Sequence, residues 1–134
     1  MGSWDVTVLD NDQTLGNMSD FFNGAFQNLT DFVDYLFDHP DDHNNNQLLG
    51  VAIVDASLNG YDKKLLGLNC SLWDYKYVIF FEWLTLHPLT QYRDKALEII
   101  DACIAEGVDD WSTEVQAERM DIYTAFKERL SKEQ

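Results

Sequence analysis

Three groups of side chains in this sequence combine residue type and spacing in ways that could do chemistry, and all three lie before residue 60. The densest is Asp38–Asn46, DHPDDHNNN, where Asp38, His39, Asp41, Asp42 and His43 are all potential metal ligands. Pro40 stands between the two histidines, and Asn44, Asn45 and Asn46 follow. That composition describes a polar loop, not a helix presenting both imidazoles on one face. A small metal-dependent hydrolase built on His39, His43 and the nearby carboxylates is therefore kept as an alternative, and no cofactor is expected. Asp10-Asn11-Asp12 opens like an EF-hand loop, but Leu15 takes the position of the required glycine and Phe21 that of the closing acid.

The second group is a lone carboxylate, Asp55, in the apolar run VAIVDASL. Burial disfavours an ionised carboxyl, which is one way to make a general acid. The competing reading is a hydrogen bond from a neighbour such as Asn59, one helical turn later. No His or Cys completes a triad with it, and the chain has no phosphate-binding glycine loop, no GxSxG and no HExxH. A non-enzyme is expected.

The third group is Asp31, Asp34 and Asp38, spaced i, i+3 and i+7. On a helix they share one face, opposite Leu29, Phe32, Val33 and Leu36, and Asp41 and Asp42 extend the row into the loop. Like charges in a row repel, so the ridge costs some stability. It also describes a surface suited to a basic protein, because complementary charge speeds association and selects partners.

These residues must be positioned by helices. The chain has 134 residues, 46% hydrophobic and 13% aromatic, enough for one folded domain spanning 1–134. Breakers at Asn23-Gly24, His39-Pro40, Asn59-Gly60, His87-Pro88 and Gly107 divide it into periodic stretches. The spacing predicts helices over Asp12–Phe22, Ala25–Phe37 and Asn44–Leu58. A further helix is opened by a Ser71/Asp74 capping box, and two more run near Leu89–Glu106 and Ser112–Lys132. The capping-box helix places Trp73, Tyr77, Phe80, Phe81 and Leu84 along one side and is apolar nearly all round, which assigns it to the centre of a bundle. Trp4, Val6 and Val8 alternate, giving a short strand or extended arm up to Leu9. The fold class is mostly all-α: a helical bundle of about five to six helices with an extended N-terminal arm.

Charge sharpens the functional classes. Lys+Arg number 9 and Asp+Glu 24, a net charge of −15. Residues 1–62 hold 11 acidic side chains and no Lys or Arg, while residues 63–134 hold the other 13 acids and all 9 bases. An excess of this sign argues against nucleic acid and against anionic membranes as partners. The concentration of acid in one half reads either as a solvated face or as a patch that steers a cationic partner. The opening residues MGSWDVTVLD lack the features of a secretory signal, so a cytoplasmic protein with reduced thiols is expected. Cys103, on an apolar helical face, reads as a core residue. Were Trp73, Trp83 and Trp111 not all internal, their exposure would favour an oligomer interface.

The pattern Gly2, Trp4, Leu9, Asn11, Asp12 and Leu15 resembles the opening of a family of small bacterial proteins of unknown function, DUF-four-two-five-nine. The stretch QLLGVAIVDASLNG and the C-terminal order of helix, acidic turn and helix are similar as well, so the likeness extends over most of the chain, with the first fifteen residues its specific part. The chain departs at Gly16, where the family often carries an acid, and it lacks a tryptophan in the last helix. The resemblance implies a helical cytoplasmic domain and supplies no catalytic residues. Gly2, Trp4, Asn11 and Asp12 are read as structural, Asn11 and Asp12 as helix N-caps and Trp4 as a clamp for the arm. The leading expectation is an immunity-like or inhibitor-like protein that binds a basic toxin or nuclease through Asp31, Asp34, Asp38, Asp41 and Asp42. A structural or homo-oligomeric domain is a further alternative.

Overall fold

A computed structural model describes residues 8–9, 12–41, 44–67, 75–107 and 113–132. Within them the chain forms seven α-helices: α1 (Asp12–Phe22), α2 (Leu29–Asp38), α3 (Asn45–Asn59), α4 (Lys63–Leu66), α5 (Tyr75–Leu84), α6 (Arg93–Glu106) and α7 (Thr113–Ser131). A 3-10 turn at Thr90–Tyr92 leads into α6. The described residues contain no strand, and the all-α class holds. The helix beyond the expected five to six is α4, a single turn whose cap Asp62 accepts from the amides of Lys64 and Leu65. Among the described residues no helix is long and apolar enough to cross a membrane.

Helix ends follow local chemistry. Gly24 takes φ +84 after α1, and the Ala25 amide bonds back to Asp20 O at 3.0 Å while that of Gly24 bonds to Phe21 O at 3.1 Å. Those paired bonds satisfy the orphan carbonyls at the end of a helix. α2 starts later than its apolar spacing predicts. Asn28 Oδ1 accepts from the Asp31 amide at 2.9 Å and from Thr30 Oγ1 at 2.7 Å, so capping places the boundary at Leu29 and leaves residues 25–28 outside the helix.

The centre of the bundle is α3, not α5. α3 packs against α1, α2, α5, α6 and α7 and is buried at Asn45, Asn46 and every residue from Leu48 to Ser57. Its small side chains admit close neighbours: a Cβ on Gly50 would stand 2.5 Å from Phe37 Cε1, so α2 lies directly on the glycine. α5 instead covers one flank of α3. It buries Tyr77, Phe80, Phe81 and Leu84 and leaves Tyr75, Ile79 and Trp83 exposed. Being apolar on every side records how hydrophobic a helix is, not how many neighbours the fold supplies to cover it.

α6 buries Ala96, Ile100 and Cys103, and α7 buries Ile122, Tyr123, Phe126 and Leu130, as their 3.6-residue spacing predicts. α6 also buries Ile99, outside that stripe, while Leu97 and Ile104 within it are half-buried. Of the N-terminal arm, Val8 and Leu9 are described and fully packed. Thr14 Oγ1 donates to Val8 O at 2.6 Å, and the Leu9 amide donates to Leu66 O at 3.0 Å. Gly2, Trp4, Asn11, the Ser71/Asp74 capping box, Trp73, Cys70 and Trp111 lie outside the described residues, as does the side chain of Asp12, the first residue of α1.

Candidate functional site

α2 positions the acidic ridge. Its apolar stripe (Phe32, Val33, Leu36, Phe37) is buried against the core, which turns Asp31, Asp34 and Asp38 to solvent on the opposite side. Asp31 stands in the first turn, where the helix dipole favours negative charge, but Asp38 closes the helix at its negative end and no basic residue occupies the last turn. Among the described residues the only ion pairs are Lys127 with Asp101 and Arg129 with Asp55, so no described Lys or Arg neutralises the ridge.

The ridge has one neutral polar neighbour of note. Tyr92 OH donates to Asp34 Oδ1 at 2.8 Å and lies 3.5 Å from Thr30 O. Burial pushes the Tyr92 phenol up, Asp34 adds to it by hydrogen bond and charge, and Asp31 and Asp38 contribute, taking it to about 12. The effect of all three carboxylates is thus felt at one phenol.

Asp41 belongs to a different structure. It is half-buried, and its Oδ1 accepts from the Asn46 amide at 2.8 Å, capping the start of α3. Asn46 then joins three segments: its Nδ2 donates to His39 O at 2.6 Å, and its Oδ1 accepts from Asn17 at 2.6 Å and Gln13 at 3.1 Å. The polar loop expected over Asp38–Asn46 therefore ends in three buried asparagines that begin α3, with Asn44 in the left-handed region at φ 57. Asn45 Oδ1 accepts from Arg119 at 2.6 Å. Arg119, fully buried on α7, also donates to Tyr123 OH at 3.1 Å. Sequence reasoning missed this polar seam. Arg119 falls on the same stripe as Val115, Ile122, Tyr123 and Phe126, but a charged residue is expected to turn to solvent unless a buried partner such as Asn45 is known.

The metal alternative rests on His39 and His43. His39 stacks on Tyr35 with ring centroids 4.2 Å apart, and its Nδ1–H donates to Tyr35 O at 2.9 Å. Asp42 and His43 lie outside the described residues. Among the described residues no group of three His, Cys, Asp or Glu side chains is arranged to hold a metal ion.

Asp55 is buried, with its Oδ2 2.7 Å from Arg129 Nε and its Oδ1 accepting from Asn59 Nδ2 at 2.9 Å. Burial raises its carboxyl above the usual range, while Asn59 and Arg129 pull it back down. Asn59 is the partner that the sequence suggests. Arg129, in the last turn of α7, turns inward to hold Asp55. The thiol of Cys103 is buried, and burial with the nearby Glu106 charge pushes it up to about 11, which leaves it protonated and unreactive near neutral pH.

A second surface feature escaped the sequence reading. A groove of about 690 Å³ opens between residues 26–30, at the start of α2, and residues 86–89, after α5, with Phe21 and Trp83 in its walls. Phe21 stacks on Phe32 at 4.7 Å, and Phe26 sits 4.9 Å from the same ring, so the wall is anchored in the core. An apolar hollow of about 470 Å³ lies beside it, lined by Phe22, Lys76, Ile79 and Phe80 together with Phe21 and Trp83. The α5 face thus joins the α2 surface through shared aromatic residues. Comparison with protein-family models, curated proteins and solved structures finds no match to this chain.

Proposed function

We propose that this chain is a non-enzymatic cytoplasmic protein that binds a basic protein partner through the Asp31, Asp34 and Asp38 face of α2, in the manner of an immunity or inhibitor protein acting on a cationic toxin or nuclease. One observation carries the reading: three exposed carboxylates run to the negative end of their helix, unneutralised by any described cation. A solvated face needs no such row, and repulsion makes it mildly unfavourable for folding. Membership of the DUF-four-two-five-nine family is proposed alongside, on the opening pattern from Gly2 to Leu15.

The test is affinity capture of basic proteins from the source organism, including any basic toxin domain encoded beside this chain, with wild-type protein and with Asp31, Asp34 and Asp38 all replaced by Asn. The triple replacement is expected to weaken binding by roughly tenfold, from ~0.2–1 kcal/mol per exposed pair, and to flatten its salt dependence. Binding unchanged by the replacement, or insensitive to salt, refutes the reading. A homo-oligomeric role is the second reading, favoured by the exposure of Tyr75, Ile79 and Trp83 on α5.

A further inference from the structure

We propose that the groove between the start of α2 and the end of α5 receives the apolar anchor side chains of a cationic, amphipathic segment of the partner. The inference rests on the acidic-ridge reading above and adds to it the site that supplies most of the affinity and the pattern the partner must carry.

Exposed apolar side chains cluster in and beside this groove: Trp83 and Leu86 line it, Phe22 and Ile79 line the adjoining hollow, and Tyr75 stands one helical turn before Ile79 on α5. Leu86 is 75% exposed, Tyr75 65% and Ile79 49%, and Phe22 and Trp83 are also open to solvent. Tyr75, Ile79 and Trp83 recur every four residues, forming one stripe about 12 Å long at 1.5 Å per residue. A stripe of this length suits two to three turns of an amphipathic helix lying along it. The walls are held in advance: Trp83 packs on Phe80 at 5.9 Å and on His87 at 4.3 Å, and Phe21 meets Phe80 edge-on at 5.3 Å. Preformed walls reduce the ordering cost of binding.

Charge decides which occupant fits. Among the described residues no Lys or Arg lines the groove itself, and exposed carboxylates stand one residue along the chain from it at Asp20, beside Phe21, and at Asp31, beside Thr30. A cation, Lys76, lines the adjoining hollow with its ammonium over the Phe22 and Tyr77 rings. The α2 wall then continues as the acidic ridge. An apolar centre with a charged rim is the arrangement in which anchors supply affinity and the rim sets orientation and rate. A second copy of this chain, itself at −15, would bring like charge to that rim. A segment bearing Lys or Arg around Leu, Ile or aromatic anchors complements both parts.

The experiment uses the full chain and a synthetic Lys-rich helical peptide with Leu and Trp along one face, compared with the same peptide carrying Ala at those positions. Titration calorimetry is run at low and high salt on wild type, on Ile79→Ser/Leu86→Ser and on Asp31→Asn/Asp34→Asn. Both serine positions are exposed, and thermal melts verify the fold of each variant. The anchored peptide is expected to bind wild type at least about tenfold more tightly than the Ala peptide, for ~1.4 kcal/mol or more from the anchors. The serine variant is expected to erase that difference while leaving the weaker, salt-sensitive binding of the Ala peptide. The asparagine variant weakens both peptides. Equal binding of the two peptides to wild type overturns the groove inference and leaves the ridge reading standing, whereas no binding of either overturns both. A wild-type dimer in sedimentation that Leu86→Ser dissociates assigns the groove to a second copy and also overturns the inference.

Discussion

Arg129 Nε and Asp55 Oδ2 stand 2.7 Å apart, joining the last turns of α7 to the central helix across 74 residues of sequence. The guanidinium also donates to Gly60 O, and Asn59 Nδ2 bridges Asp55 Oδ1 at 2.9 Å and Arg129 O at 3.0 Å. The carboxylate is almost fully buried, whereas the arginine keeps partial access to water. The pair therefore closes a network that satisfies the C-terminal end of α3 and both sides of an inter-helix contact. Its role is to hold the scaffold that presents α2 and α5.

Removing the cation strands the buried carboxylate. Arg129→Ala is expected to cost about 3–5 kcal/mol in urea unfolding near neutral pH. Asp55→Asn keeps an acceptor for Arg129 and removes the buried anion, so it should cost less. Because burial raises the Asp55 carboxyl, its contribution to stability is fully present below the unfolded value and is lost as pH rises through the folded one. The penalty of Arg129→Ala should accordingly shrink in acid, where a neutral Asp55 needs no cation. A penalty that grows on acidification contradicts this assignment.

What the sequence made legible was periodicity, and what it hid was contact between distant segments. Ile122, Tyr123, Phe126 and Leu130 on α7, and Ala96, Ile100 and Cys103 on α6, could be assigned inward because one face of each helix is apolar and the rest is charged. The ridge was legible for the same reason. α5 was misplaced at the centre because apolar residues cover both its faces, and only the fold reveals that Tyr75, Ile79 and Trp83 are left exposed to solvent. Arg119 and Asn45 recognise each other across 74 residues, and no local pattern encodes such a pair. The groove was invisible too, since it exists only where residues 21–30 approach residues 83–89.

The contact of Gly50 with Phe37 gives a second prediction. Alanine at Gly50 would gain ~1 kcal/mol of helix propensity in an open site. Here its Cβ would lie 2.5 Å from Cε1 and 2.8 Å from Cδ1 of a buried ring, so α2 or the ring must move. Overpacking costs of ~1–3 kcal/mol exceed the propensity gain. Gly50→Ala should lower the melting temperature, and Phe37→Leu in the same chain should recover part of the loss. Independent, additive effects of the two substitutions would show that the contact does not govern α2–α3 spacing.

Cys103 should behave as an inert core thiol. With Cys70 replaced by Ser, Cys103 is expected to resist an alkylating reagent near neutral pH at a rate limited by opening of the α3–α6–α7 core, and to react at once in denaturant. Burial pushes the folded thiol up to about 11, so the closed state contributes little thiolate, and while opening limits the rate, raising the pH within the stable range should change labelling little. Rapid labelling of folded protein would place Cys103 at the surface and contradict its 2% exposure.

Tyr92 reports on the ridge without requiring a partner. Burial is the largest cause of its elevation to about 12, and Asp34, Asp31 and Asp38 add the rest. Asp34→Asn should therefore lower the Tyr92 titration toward the ordinary phenol value without reaching it, and adding Asp31→Asn and Asp38→Asn should lower it further. Ultraviolet absorbance during alkaline titration reads this change, with Tyr92→Phe subtracted to isolate one phenol from the raised Tyr61 and Tyr123. A raised phenol stabilises the fold below the unfolded value near 10, and that stabilisation disappears as pH climbs through the folded one. The asparagine variants should thus lose their alkaline stability increment earlier than wild type. High salt should mimic them in part, since the charges of Asp31, Asp34 and Asp38 act from the solvent side and are screened. A Tyr92 titration indifferent to all three substitutions would mean that the ridge exerts no concentrated field, removing the physical basis for its attraction of a basic protein.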